Sequence, residues 1–203
     1  MPALKPFAEG RTGRGCLLVF GLIWIAFSLF WEGMAWQTGA PVFFLLFGLP
    51  FVAIGFGLLT WALLPSIVGM KVARPVVSLS SDAMRGGEAF SLTYQQSFKK
   101  AVDVHRIAFQ FVFRETATYQ RGTDTVTVKY EQIIDSAEHP ARRFAAGETF
   151  YDQRSLQLPK DGMHTFSALH NKLQWFVKVQ VEITGWPDFK EEYEVRVLPE
   201  RAR

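Results

Sequence analysis

Pro41-Val-Phe-Phe-Leu-Leu-Phe-Gly-Leu-Pro50-Phe-Val-Ala-Ile-Gly-Phe-Gly-Leu-Leu-Thr60-Trp-Ala-Leu-Leu-Pro65-Ser-Ile-Val-Gly-Met70 contains no Asp, Glu, Lys or Arg. A helix rises about 1.5 Å per residue and the hydrocarbon core of a bilayer is about 30 Å thick, so about 20 mainly apolar residues make one crossing. This stretch is long enough by itself. A second uncharged run, Gly15 to Trp31, precedes it and extends through Gly33-Met-Ala-Trp36 if Glu32 sits at the headgroup level. The two runs read as a transmembrane helical hairpin over 15–70, behind an N-terminal tail, 1–14. From Lys71 the chain is polar and alternating, so 71–203 reads as one attached domain of ordinary size.

The 203 residues carry 22 Lys and Arg and 19 Asp and Glu. Three of those bases (Lys5, Arg11, Arg14) and two of the acids (Glu9, Glu32) precede residue 71, leaving 19 and 17 in the domain. That balance argues against a nucleic-acid partner, which requires clustered positive charge, despite a sequence pI of 9.1. Cys16 is the single cysteine, so no intrachain disulfide or thiol cluster forms. It reads as a small apolar residue in a helix, lipidation of this juxtamembrane thiol being the less favoured alternative.

The first run is longer than the roughly 7–15 apolar residues of a signal peptide and lacks a small-x-small cleavage site after it, so it reads as retained. Lys5, Arg11 and Arg14 precede the hairpin, Lys71, Arg74 and Arg85 follow it, and its connection Glu32–Ala40 has no Lys or Arg. The positive-inside rule then places both termini in the cytoplasm, the protein being integral to the plasma or inner membrane. Trp31, Trp36 and Trp61 fall near helix ends, where indoles favour the interface; Trp24 does not fit this pattern. Gly21 with Ser28 and Gly48 with Gly55 form small-residue stripes, which let helix backbones approach closely. The stripes are expected to close the hairpin, a homo-oligomer through the same faces being the alternative. Pro50 should kink the second helix, and no ionisable group is expected inside either span.

After Lys71 the apolar period changes to two. Phe90, Leu92 and Tyr94 alternate with polar residues, as do Ile107, Phe109, Phe111 and Phe113, and Val126, Val128 and Tyr130. The clearest strand has Leu173, Trp175, Val177, Val179 and Val181 on one face and Gln174, Phe176, Lys178, Gln180 and Glu182 on the other. A last strand, with Tyr193, Val195 and Val197, follows the turn sequence Gly185-Trp-Pro-Asp188. Between Phe144 and Leu158 the expected arrangement is a long loop and one strand, Ser155–Leu158. Short alternating strands without an amphipathic helix between them indicate an antiparallel sandwich close to the bilayer. Trp175 is expected in its core against Phe109 or Phe111 of a facing strand.

Trp175-x-Val-x-Val-x-Val181, Asp188, Tyr193-x-Val-x-Val197 and Pro199, preceded by Leu156-x-Leu-Pro159, resemble the end of an arrestin-like sandwich. The order of a two-helix hairpin followed by such a domain resembles uncharacterised bacterial inner-membrane proteins. The resemblance covers about 72–199, and it implies a binding scaffold and not a catalyst. No ligand residues carry over, because the matched positions are core positions.

No glycine-rich phosphate loop, Gly-x-Ser-x-Gly elbow, His-Glu-x-x-His pair or Cys-x-x-Cys is present. His164 and His170 are six apart, too weak a pattern to name a metal site, and Glu148 with Asp152 read as loop carboxylates. The expectation is therefore a protein without catalytic residues, cofactor or metal, embedded in the bilayer and bound to membrane or membrane-associated proteins. An enzyme with a dispersed site is the alternative. Arg142, Arg143 and Phe144 form the one basic and aromatic cluster, a candidate contact for anionic headgroups. Phe176, on the polar face of its strand, is either covered by the loop from His139 to Arg154, the favoured reading, or exposed to a partner.

Overall fold

The computed structural model describes residues 2–7 and 13–200, Arg14 by its backbone alone. Glu9 and Arg11, and the side chain of Arg14, lie outside the described residues. The chain divides into two compact units, Ala8–Ile67 and Met1–Phe7 with Val68–Arg203. The first residues of the N-terminal tail thus group with the sandwich and not with the hairpin.

The hairpin unit contains α1 (Arg14–Gln37) and most of α2 (Val42–Lys71), both long and apolar enough to cross a membrane. Its buried strip consists of Gly21, Ile25 and Ser28 on α1 facing Gly48, Gly55 and Ala62 on α2. A Cβ added at Gly55 would stand 3.0 Å from Ile25 Cβ and 3.2 Å from Ile25 Cα. The small-residue stripes therefore close the hairpin, and these faces are already occupied within the chain. Trp24, the tryptophan in mid-helix, donates its indole N–H to the Phe51 carbonyl of α2 at 3.0 Å.

Helix α2 runs through both Pro50 and Pro65 to Lys71 without a break. One reading of this unit changes. Glu32 belongs to α1, and its side chain lies against Gly48, with Oε1 buried and without a hydrogen-bond partner among the described residues. It is therefore an ionisable group inside the helical hairpin, held where only a glycine leaves space.

The second unit is a sandwich. Strands β1 (Val76–Leu79), β2 (Ala89–Ser97) and β6 (Thr149–Gln157) form a three-stranded sheet in the order β1-β2-β6. The six-stranded sheet has the order β4-β3-β8-β7, from β3 (Val102–Arg121), β4 (Asp124–His139), β7 (Phe166–Ser167) and β8 (Asn171–Ile183); β5 (Arg142–Phe144) also pairs with β3, and β9 (Phe189–Val195) with β8. All these pairings are antiparallel. The period-two residues build the core: Phe90, Leu92 and Tyr94 of one sheet pack against Phe109, Phe111, Val177, Val179 and Val181 of the other. The β8–β9 turn passes through Gly185 at φ +65°, a left-handed conformation that glycine adopts without strain.

Trp175 is 2% exposed, 5.4 Å from the Phe111 ring and 4.9 Å from Phe113, and donates its indole N–H to the Met163 carbonyl at 2.8 Å. Those phenylalanines lie on β3, the hydrogen-bonded neighbour of β8 in the same sheet, and not on a facing strand. The segment expected as a loop before Ser155 is mostly β5, a turn at Ala145–Glu148, and β6.

Two further features position the surfaces described below. Residues 2–7 bridge the sheet edges: Leu4 donates to Val77 O at 2.8 Å, and Phe7 to Glu192 O at 2.7 Å. The last turn of α2 joins the sandwich without a linker. Val72 bridges Phe98, Lys99 N donates to Lys71 O at 2.7 Å, and Ala73 N donates to Ser97 O at 2.9 Å.

Candidate interaction surfaces

Strand length decides what the sandwich leaves uncovered. At about 3.3 Å per residue, the 20-residue β3 is roughly twice as long as the nine-residue β2 and β6 that face it. The far half of the β3–β4 hairpin therefore outruns the opposing sheet. None of the 16 residues of β4 is buried, and β4 is an edge of its sheet, so among the described residues its outward backbone groups form no ladder with another strand. Tyr130 pairs across to Glu115, which pairs on its other side with Leu173, itself opposite Phe166. Leu173 lies two residues from Trp175, so this row continues the core-facing side beyond the core. Tyr130 is 60% exposed, Val128 50%, Tyr119 48% and Phe166 44%. The result is an aromatic and aliphatic sheet face beside an open strand edge.

The other face of the six-stranded sheet is polar but closed. Arg114 bonds Glu131 at 2.6 Å and Glu192 at 2.7 Å, and Lys178 bonds Glu131 at 2.5 Å. Burial by itself lowers the Arg114 pKa, but hydrogen bonds to Glu192 and Glu131 and their charges outweigh it and hold it above its usual value. For Glu131, burial raises the pKa, whereas hydrogen bonds and charges from Lys178 and Arg114 bring the net below the ordinary carboxylate value.

This network covers Phe176. The Arg114 guanidinium lies 4.3 Å over its ring, Phe7 meets it edge-on at 4.9 Å, and Phe176 has no exposed surface. Its cover is thus the N-terminal segment and Arg114, and not the loop 139–154. Phe176 offers no contact to a partner. Phe144 is likewise removed from the candidate contacts, being 1% exposed and stacked on Phe98 at 4.4 Å. Strand pairing turns its side chain inward while its two neighbours stay exposed. Arg142 bonds Glu148 at 2.6 Å, and Arg143 lies 3.6 Å from Asp103.

Glu148 and Asp152 are held apart by different partners, because Asp152 binds Arg154 at 2.6 Å and His139 at 3.1 Å. Arg154 in turn stacks on Phe109, 4.3 Å from the ring centre. This half-buried cluster seals the rim between β4 and β6. A cleft nearby, lined by Asp135, Arg154 and Phe109 among others, encloses about 10 Å³, space for about one water molecule. His164 and His170 are exposed, and among the described residues no three His, Cys, Asp or Glu side chains gather as ligands. The overhanging face was missed in the sequence because Val126, Val128 and Tyr130 alternate there just as core residues do.

No family model matches the chain, and no curated protein matches it in sequence. Among solved structures it is similar to Spo0M, a sporulation control protein from Bacillus subtilis, with 19% identity and a TM-score of 0.51 over 64% of this chain and 50% of that one. The match thus spans about half the length of that protein. At such identity the likeness concerns the fold alone, and it supports an arrestin-like β-sandwich.

Proposed function

We propose that this protein is a membrane-anchored, non-enzymatic binding module whose sandwich captures an extended segment of another protein along the free edge of β4. The observation that carries this reading is that β4 is 16 residues long, stands at the edge of its sheet and is without a single buried residue. An extended peptide adds to such an edge through main-chain hydrogen bonds, while side-chain contacts give the specificity. Tyr130, Val128 and Tyr119 supply apolar contacts for one side of the added strand. The apolar hairpin supports an integral membrane location. The packing of residues 2–7, which precede the hairpin, onto the domain that follows it supports an even number of crossings. The Lys and Arg count then favours the cytoplasmic side, and a reporter fused after Arg203 that is active only outside should be silent.

The test is a photo-cross-linking side chain at position 130 of the full chain in its native membrane, with position 105 as an exposed control on β3. Position 130 should give one discrete heavier adduct, lost when Val128→Lys is added, and position 105 should not. Absence of an adduct from a folded protein, or small-molecule turnover that survives Val128→Lys, overturns the reading.

A further inference from the structure

We infer that the end of the sandwich where α2 enters is a docking surface for anionic lipid headgroups. Val68–Lys71, the last turn of α2, belongs to the same compact unit as the sandwich. Lys99 Nζ donates to Gly69 O at 2.7 Å, and the Lys71 ammonium lies 4.2 Å over the Trp186 ring. The helix end is therefore clamped between the β2–β3 connection and the β8–β9 turn. If α2 crosses the bilayer, this end of the sandwich stands where the chain leaves it.

The charges at this end are not those of the domain as a whole. Near-balance holds overall, yet Lys71 at the end of α2 and Arg74, Lys99, Lys100, Arg142, Arg143 and Lys190 on connections or strand starts all fall at this end, against Asp103, Glu148, Glu182 and Asp188. Arg142 and Arg143 are brought here by β5, which pairs with Val102–Val104 at the start of β3. Their partners Glu148 and Asp103 neutralise only part of this charge. The opposite end, with turns at Gly86-Gly87 and Gly122-Thr123, shows no such excess: Arg85, Arg121, Lys160, Lys172 and Arg196 are matched there by Asp82, Glu88, Asp124, Asp161 and Glu200. A positive surface fixed at the exit of an apolar helix is complementary to anionic headgroups, each basic residue there being worth about five-fold in binding. The surface holds the sandwich end against the membrane and leaves the β3–β4 tip at its other end open to a protein partner.

The test uses the full chain in nanodiscs, with Cys16→Ser and a fluorophore on Ala145→Cys, an exposed position in the β5–β6 turn. A headgroup-attached quencher reports proximity in phosphatidylcholine alone or mixed with phosphatidylglycerol. Quenching should rise with phosphatidylglycerol and fall with salt. Arg74→Gln, Lys100→Gln, Arg142→Gln and Arg143→Gln together should abolish the dependence on phosphatidylglycerol; the three Arg→Lys changes should preserve it, as should Arg121→Gln with Lys160→Gln at the far end. Quenching that ignores lipid charge, or that survives the four neutral changes, shows tethering alone and overturns the proposal. Abolition of the quenching by inorganic phosphate at matched ionic strength points to a soluble anion and also overturns it.

Discussion

The Arg114 guanidinium lies 4.3 Å over the Phe176 ring, and Phe7, from before the first helix, closes the other approach at 4.9 Å. A ring on the polar face of its strand is thereby buried by a cation and by a segment distant in sequence. An edge-on aromatic pair contributes about 0.5–1.5 kcal/mol beyond burial. Phe7→Ala should therefore cost about 1–3 kcal/mol. Hydrogen exchange of the intact chain should accelerate at the amides of β9 and residues 2–7 first. Unchanged exchange there would show that the segment does not hold the sheet edge.

Acid should weaken the same network. Glu131 titrates below its ordinary value in the folded protein, so its contribution is present above the unfolded carboxylate pKa of about 4.3 and is lost as pH falls through the lower folded value. Glu182 acts in the same sense, through its hydrogen bond from Arg106. The melting temperature should fall on acidification below about pH 4.3, and Glu131→Gln should flatten that fall while lowering stability at neutral pH. An identical pH profile in the variant would remove Glu131 from the account.

Trp175→Ala deletes a side chain that packs on Phe111 and Phe113 and donates to Met163 O. The loss should be about 3–5 kcal/mol, against the roughly 5–15 that holds a domain folded. Limited proteolysis of the full chain should then cut the sandwich while leaving the hairpin intact. Equal resistance of variant and wild type would contradict the core position.

Gly55→Leu should open the hairpin, because even a Cβ at that position is tight against the Ile25 backbone. Gly57→Leu is the control, since nothing lies within 4 Å of a Cβ there. Disulfide trapping between cysteines placed on α1 and α2, with Cys16 replaced by Ser, should fail in the first variant and succeed in the second. Efficient trapping in both would show that close contact at Gly55 is dispensable.

The physics of single segments made much of this legible in advance. Uncharged length marked the two helices, and period-two alternation marked the strands and put Trp175, Phe109 and Phe111 inside, because a pleated strand sends alternate side chains to opposite faces whatever its neighbours are. Alternation does not say what lies above a face. Phe176 is covered because residues 2–7 return to β9 and Arg114 of β3 lies over its ring, Phe144 is inward because β5 pairs with β3, and Tyr130 is exposed because β2 and β6 are too short to reach it. Glu32 lies against Gly48, a position that helix length could not foresee, since the two helices meet side by side only once the chain turns. Strand order, the open edge of β4 and the gathering of Lys99, Lys100, Arg142 and Arg143 at one end come from pairings distant along the chain, which tertiary structure alone decided.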